Sequence, residues 1–313
     1  MNVLFVSSGN SIVGIVPFIK AQGDSLLEEG INLEFFTIKG KGVKGYLNNI
    51  LRLRNYISKN NFDIIHAHYS LTAFVVSLAC IGKREPIIVS LMGSDTESSF
   101  FEKSLIKLFN LFFWSKVIVK SESMAEKMGI SDVNIIPNGI NQDVFLPMEI
   151  NDAKKKLGLN KEIKYILFAA NPERYVKNYN LAENACQMLN EPNTVLKVIS
   201  GINHQEIALY LNAASIVILT SRHEGSPNII KEAMACNRPI VSTDVGDVRL
   251  VIGNTAGCFI SKSTKNNFAK NIKKALVFTS NNKKTKGVDR INELQLGSKS
   301  VANRLIDLYS DVL

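Results

Sequence analysis

The chain has 313 residues, 46% of them hydrophobic and 21% charged, and a formal charge of +9; this suits two globular domains of ordinary size and excludes large-scale disorder. No apolar run reaches the ~18 residues needed to cross a bilayer, and the opening Met1-Asn2-Val3-Leu4-Phe5-Val6 lacks a leader's basic segment, so a cytoplasmic protein is expected. Cys80, Cys186, Cys236 and Cys258 form no C-x-x-C pair and read as reduced, mostly buried thiols, so neither a zinc site nor a disulfide framework is suggested.

In chain order, short Val/Ile/Phe-rich runs predict strands at 2–6, 32–38, 62–66, 86–91, 116–121 and 133–136. A second series follows at 163–169, 194–200, 215–220, 239–243 and 257–260. Longer helical segments separate them, the pattern of parallel βαβ units, so the fold class is α/β with two Rossmann-like, doubly wound parallel sheets facing a cleft. Pro137-Asn138-Gly139, Pro147 and the polar stretch after it mark a linker. The expected domains are 1–147 and 148–297, followed by an amphipathic closing helix at 298–313 with Val301, Leu305, Leu308 and Val312 at helical spacing.

The stretch from Ser221 to Pro239 carries the chemistry. After the strand Ile216-Val217-Ile218-Leu219, Ser226 reads as an N-cap and Pro227 as the first helical residue, so free N–H groups point back toward the strand end, where a diphosphate binds well. Ile229, Ile230, Ala233 and Met234 form the face turned to the sheet. Glu232 falls roughly 8 Å beyond Pro227, a suitable depth for its carboxylate to accept both ribose hydroxyls of a nucleotide. Glu224, in the loop before the helix, lies on the phosphate side, and Asn237 suits a left-handed helix end. Each glutamate alone reads more simply as an ordinary surface carboxylate; together with the cap, the strand and the Gly225 turn they point to a site.

The run Glu224-Gly225-Ser226-Pro227, Glu232-Ala233-Met234-Ala235-Cys236 and Pro239 to Gly246 resembles the signature of the retaining GT-B glycosyltransferases of family 4, and Glu224 and Glu232 match the family's E-x7-E pair. The resemblance implies that Glu224 contacts the donor sugar and Glu232 the ribose, with Gly225, Ser226 and Pro227 at the diphosphate. Ile136-Pro137-Asn138-Gly139-Ile140 is similar to the family's interdomain loop, with Asn141 where aspartate is usual. Residues 168–178 occupy the place of its basic diphosphate-binding segment. There Ala170-Asn171 replaces Gly-Arg, Lys177 keeps the lysine, and Arg174 is the candidate for the displaced guanidinium.

In the first domain, Asp63 to His68 is similar to the family strand whose end faces the acceptor. Met92-Gly93-Ser94-Asp95 resembles its His-Gly-x-Asp loop without the histidine, which leaves His68 as the group expected to orient the acceptor hydroxyl; a buried structural histidine is the alternative. Ser8 to Gly14 forms a small-residue loop after the first strand that is neither a G-x-G-x-x-G nor a Walker loop, and the resemblance puts Gly14 near the donor phosphates. No Asp-x-Asp triplet occurs, so no metal and no separate cofactor is expected; Lys177, Arg174 and the helix start are expected to offset the leaving-group charge.

The expected partners are a nucleotide sugar, with UDP as the base choice by family frequency, and a glycan or lipid-linked acceptor of capsule or lipopolysaccharide type. Nucleic acid is not expected. Residues 39–59 hold six Lys or Arg and no acidic residue, with Leu47, Ile50, Leu51, Leu53 and Tyr56 interleaved, and predict a basic amphipathic helix that either packs on the first sheet or lies on anionic lipid, attaching the protein peripherally to the inner membrane face. The apolar 100–114 segment reads more simply as a helix packed on the first sheet. The stretch 262–304 holds eleven Lys or Arg against Asp289 and Glu293, simplest as a solvated basic face. Alternatives of other classes are a nucleotide-sugar epimerase, a sugar phosphorylase and a non-catalytic binder of anionic polymers.

Overall fold

The computed structural model describes residues 1–10, 14–281 and 284–313. The expected strands form within two residues of their expected bounds: β1 (Asn2–Ser8), β2 (Asn32–Ile38), β3 (Ile64–His68), β4 (Ile87–Ser90), β5 (Lys116–Val119) and β6 (Val133–Ile135), then β7 (Lys164–Ala169), β8 (Thr194–Ile199), β9 (Ile216–Leu219), β10 (Ile240–Thr243) and β11 (Cys258–Ser261). They build two parallel sheets, ordered β2-β1-β3-β4-β5-β6 and β11-β10-β9-β7-β8. In each, the strand order reverses beside the first strand, between β1 and β3 and between β7 and β9. Doubly wound sheets receive ligands at the carboxyl ends of such a pair.

Alternate residues of each strand feed cores on opposite faces. In the first sheet Leu4, Val6, Ile65 and Val89 pack on one side, and Val3, Phe5, Ile64 and Ile88 on the other. In the second, Leu167, Val217 and Leu219 meet helix Asn228–Ala235, while Ile166, Phe168, Ile216 and Ile218 meet helix Lys265–Ser280. This two-sided burial is why the strands read as continuous apolar runs.

The chain divides into two compact units, Met1–Gly139 with Ser298–Leu313, and Ile140–Gly297. Residues 140–147, placed in the first domain by the sequence, thus belong to the second unit: Ile140 and Phe145 are buried in its core. The last helix, Ser298–Ser310, belongs to the first, where Val301, Leu305 and Leu308 are buried and the Tyr309 hydroxyl lies 2.6 Å from His66 Nδ1. Gly139 sits where the chain leaves unit 1 and returns; a Cβ there would stand 2.7 Å from Ser298 Cα.

Residues 39–59 form two helices, Gly42–Leu47 and Ile50–Lys59. Helix Phe100–Phe113 departs from expectation. It buries Ile106 fully and packs Phe109 along one narrow side, 4.7 Å from Phe74 between ring centroids, while Phe100, Phe101, Leu108, Leu111, Phe112 and Phe113 are exposed. Apolar content alone does not reveal how much of a helix's circumference its neighbours cover. Among the described residues no helix is long and apolar enough to cross a membrane.

Candidate functional site

In unit 2 the loop after β7 folds into a short 3-10 turn, Tyr175–Lys177, that is pinned to the end of β9. Arg222 N–H donates to the Val176 carbonyl at 2.8 Å, and the Thr220 hydroxyl to the Lys177 carbonyl at 2.8 Å. The pinning aims Lys177 inward. Its ammonium donates to Glu224 Oε1 at 2.6 Å, and the Ser221 hydroxyl donates to the same oxygen at 2.7 Å. The structure thus brings together Lys177 and Glu224, 47 residues apart, at the carboxyl end of the β7/β9 pair.

The following helix starts one residue later than the sequence predicts. Pro227 is its N-cap and Asn228 its first residue, without a side-chain cap. The Ser226 hydroxyl is otherwise engaged: it donates to Asp247 Oδ2 at 2.6 Å and accepts from the Lys231 ammonium at 3.0 Å. Asp247 reaches it because Gly246, at φ +57°, lets the β10 loop approach the Glu224-Gly225 backbone; a Cβ on Gly246 would lie 2.4 Å from the Gly225 carbonyl oxygen.

The helix is more deeply sunk than an amphipathic pattern implies. Lys231 and Glu232 are buried along with Ile230, Ala233 and Met234, whereas Ile229 is only half-buried. Burial pushes the Glu232 carboxyl up to about 7, against the pull of the adjacent Lys231 ammonium. It raises Asp247 too, opposed by Lys231, and lowers Lys231, opposed by Asp247 and Glu232. A buried carboxylate held near neutrality takes hydroxyl donors readily, since each hydrogen bond favours the charged form. Asn237 ends the helix at φ +53° as expected, and its Oδ1 accepts from Val288 N–H.

Arg174 is exposed at the start of the 3-10 turn; its carbonyl accepts from Lys177 N–H at 2.9 Å, but its guanidinium does not bond to the Lys177–Glu224 side chains. The guanidinium fixed on this loop is instead Arg222, stacked 4.4 Å from the Tyr175 ring centroid and donating to Asn178 Oδ1 at 3.1 Å. The sequence reading missed Arg222, Lys231 and Asp247. The available signals were a lysine directly before Glu232 in a largely apolar helix and an acid directly after a glycine at the end of β10.

In unit 1, His68 ends β3 as expected but is wholly buried, its Nε2 3.1 Å from Gln22 Oε1 and its ring packed on Phe5 and His66. Burial, then the Lys120 ammonium, lowers its pKa to about 3, so it stays neutral at physiological pH. Its pKa thus lies below the titration range expected of it, and its Nδ1 is buried without a side-chain hydrogen-bond partner. Asp95 is buried as well, accepting from Ser70 N–H and hydroxyl and from Met92 N–H. Beside these groups, at the ends of β1, β3 and β4, a cavity of about 390 Å³ is lined by Ser8, Tyr46, Tyr69, Ser94 and Glu102 among others. Tyr69 holds φ +72°, ψ 148°, a backbone conformation tolerated at a cost of about 1–3 kcal/mol and commonest where a site requires it. Gly14 takes φ +75°, while residues 11–13 of its loop lie outside the described residues. No three His, Cys, Asp or Glu side chains among the described residues are grouped to hold a metal ion.

A family model for glycosyl transferases group 1 matches residues 148–277, and one for glycosyltransferase family 4 matches residues 20–144. The chain is 26% identical over 218 residues to TuaC of Bacillus subtilis, named as a teichuronic acid biosynthesis glycosyltransferase, with 61% of this chain and 55% of that protein covered. It is 20% identical over 234 residues to N-acetyl-alpha-D-glucosaminyl L-malate synthase of Bacillus anthracis, covering 64% of this chain and 61% of that one. The matches thus span little more than half the length of these relatives. Among solved structures, sucrose-phosphate synthase of Thermosynechococcus elongatus superposes with a TM-score of 0.84 at 16% identity over 100% of this chain and 99% of its own. Anabaena HepE, in complex with UDP, superposes at 0.79 and 15% identity over 99% and 100%. With two doubly wound sheets and these matches across both units, the chain belongs to the group 1, family 4 glycosyltransferases and has the GT-B fold.

Proposed function

We propose that the protein moves a sugar from a nucleotide-sugar donor, a UDP-sugar, to a glycan or lipid-linked acceptor of a surface polysaccharide, with retention of anomeric configuration and without a metal. The observation that carries this reading is the Lys177–Glu224 pair at the end of β9, with buried Glu232 in the helix that follows. Glu232 accepts the ribose hydroxyls, the helix start and Lys177 take the diphosphate, and Glu224 meets the sugar. In transfer the bond from the anomeric carbon to the diphosphate oxygen breaks, the bond to the acceptor oxygen forms, and the acceptor proton leaves with the diphosphate. Lys177 and the N–H groups at the helix start offset the charge that develops.

The UDP complex of HepE supports the donor class, and the teichuronic acid role in the name of TuaC supports a polysaccharide product. The unit 1 cavity is the acceptor candidate. The reading is tested by thermal shift and nucleotide release with a panel of nucleotide sugars in chelator, repeated with Glu232→Ala. Metal-independent binding of one donor, lost on substitution, is expected. Conversion of the donor sugar with no acceptor would identify an epimerase, and no binding to any donor would overturn the reading in favour of the anionic-polymer alternative.

A further inference from the structure

The cavity of about 390 Å³ in unit 1 falls within the roughly 300–1,000 Å³ usual for small-molecule sites. Two aromatic rings stand in its wall: Tyr46, from helix Gly42–Leu47, and Tyr69, the residue between β3 and helix Ser70–Ala79. With them are hydroxyls, from Ser8 at the end of β1 and from Ser94 and Ser98 after β4. The charged groups among the described lining residues are two acids, Asp95 and Glu102, and no Lys, Arg or His joins them.

Both acids are held in place. Asp95 already takes three hydrogen bonds, from Ser70 N–H, the Ser70 hydroxyl and Met92 N–H, so it meets a ligand as an acceptor. Glu102 is tied through Oε2 to Ser99 in the capping box of helix Phe100–Phe113. Lys41 and Lys44, close to Tyr46 in the chain, are exposed and do not line the cavity. A sugar ring presents a C–H face, which packs on an aromatic ring, and a rim of hydroxyls, which donate to carboxylates and exchange hydrogen bonds with serines. A carboxylate or phosphate on the ligand would instead come beside Asp95 and Glu102 with no lining cation to pair with it.

We propose that this cavity selects the accepting sugar by charge: it takes the uncharged, hydroxyl-bearing end of a glycan and rejects a uronic acid or a sugar phosphate at that position. Tyr46 and Tyr69 supply the stacking surface, and Asp95 and Glu102 determine specificity, accepting hydroxyls and repelling anions. Selection of this kind works against the wrong ligand as much as for the right one. The acceptor role rests on the glycosyltransferase reading above, whereas the charge selection belongs to unit 1 alone and is measured without turnover.

The test is ligand-observed NMR titration of the full chain with methyl glucoside, methyl N-acetylglucosaminide, methyl glucuronide and glucose 6-phosphate. UDP binding is measured on the same samples by calorimetry. The two neutral glycosides should bind at least about tenfold tighter than the two anions. Ser94→Trp, which fills the cavity from an exposed position, should weaken neutral glycosides at least about tenfold and leave UDP binding unchanged. Leu71→Lys adds a cation to the lining, and Glu102→Gln removes a charge while keeping the cap; each should shrink the preference at least about threefold. If Ser94→Trp unfolds, Ser98→Trp makes the same occlusion. Anions bound as tightly as neutral glycosides, a preference that neither charge variant moves, neutral binding that survives occlusion, or no glycoside binding by a chain that binds UDP would each overturn the proposal. The expected selection in a chain that binds no UDP would support the cavity's selectivity and sink the donor reading, so the two failures are distinguishable.

Discussion

Lys177 and Glu224 form an ion pair of 2.6 Å in which each side chain keeps only about a sixth of its surface exposed, 16% and 17%. An ammonium has three donors, so Lys177 is able to hold Glu224 and a diphosphate oxygen at once, and the pair sets the carboxylate beside the bond to be broken. Lys177→Met should weaken donor binding at least about tenfold, and Glu224→Gln should lower kcat more than it raises KM. The double variant should fall short of the product of the two effects by a coupling of about 1–3 kcal/mol, as contacting residues do. Steady-state kinetics of the four proteins decide it; strict additivity would mean that the pair does not act together.

Glu232 gives a pH signature. Its folded pKa, about 7, lies above the ordinary value of 4.5, so between these values the native state holds more protons than the unfolded one. Stability contributed at low pH is therefore lost as pH rises through that window, and Glu232→Gln should flatten the dependence and gain about 1–3 kcal/mol at pH 8. Ribose hydroxyls favour the ionised form, so nucleoside binding should strengthen from pH 6 to 8 and release a proton. Calorimetry of uridine in buffers of different ionisation enthalpy, with Glu232→Gln alongside, measures both effects; identical pH profiles in the two proteins would be the failing result.

Gly246→Ala should destabilise the protein by about 1–3 kcal/mol, through positive φ and the collision with the Gly225 carbonyl. Because the same loop carries Asp247 to Ser226, donor affinity should fall as well. Urea melts and a donor titration check the two parts separately.

Tyr309→Phe removes the hydroxyl that meets buried His66 Nδ1 and should cost about 1–3 kcal/mol, the penalty for an unpartnered buried polar group. Donor affinity in unit 2 should not change. A loss of donor binding without a loss of stability would contradict this assignment.

The strands were legible because burial on both faces writes itself as runs of Val, Ile and Phe. Glu224 and Glu232 were legible because one helix and its leading loop fix their separation. The contacts that govern them were not: Lys177 meets Glu224 through a turn pinned by Thr220 and Arg222, and Asp247 reaches Ser226 through one glycine, all dependent on loop paths that spacing does not encode. The burial of His68 depends on Gln22 and Phe5 from other elements, so a strand-terminal histidine in sequence did not announce its neutral state. The water-facing side of Phe100–Phe113 escaped for the converse reason, since a helix apolar nearly all round does not say which side its neighbours leave bare.

The return of the last helix to unit 1 bears on how the protein is made. Residues 1–139 leave the ribosome before unit 2, yet Val301, Leu305, Leu308 and Tyr309, which complete one face of their sheet, come after unit 2 has been synthesised. Unit 2 is continuous and free to fold during translation, whereas the nascent first sheet carries a partly uncovered apolar face until residues 298–310 have been made. During that interval Val3, Phe5, Ile64 and Ile88 are the surface a chaperone would shield.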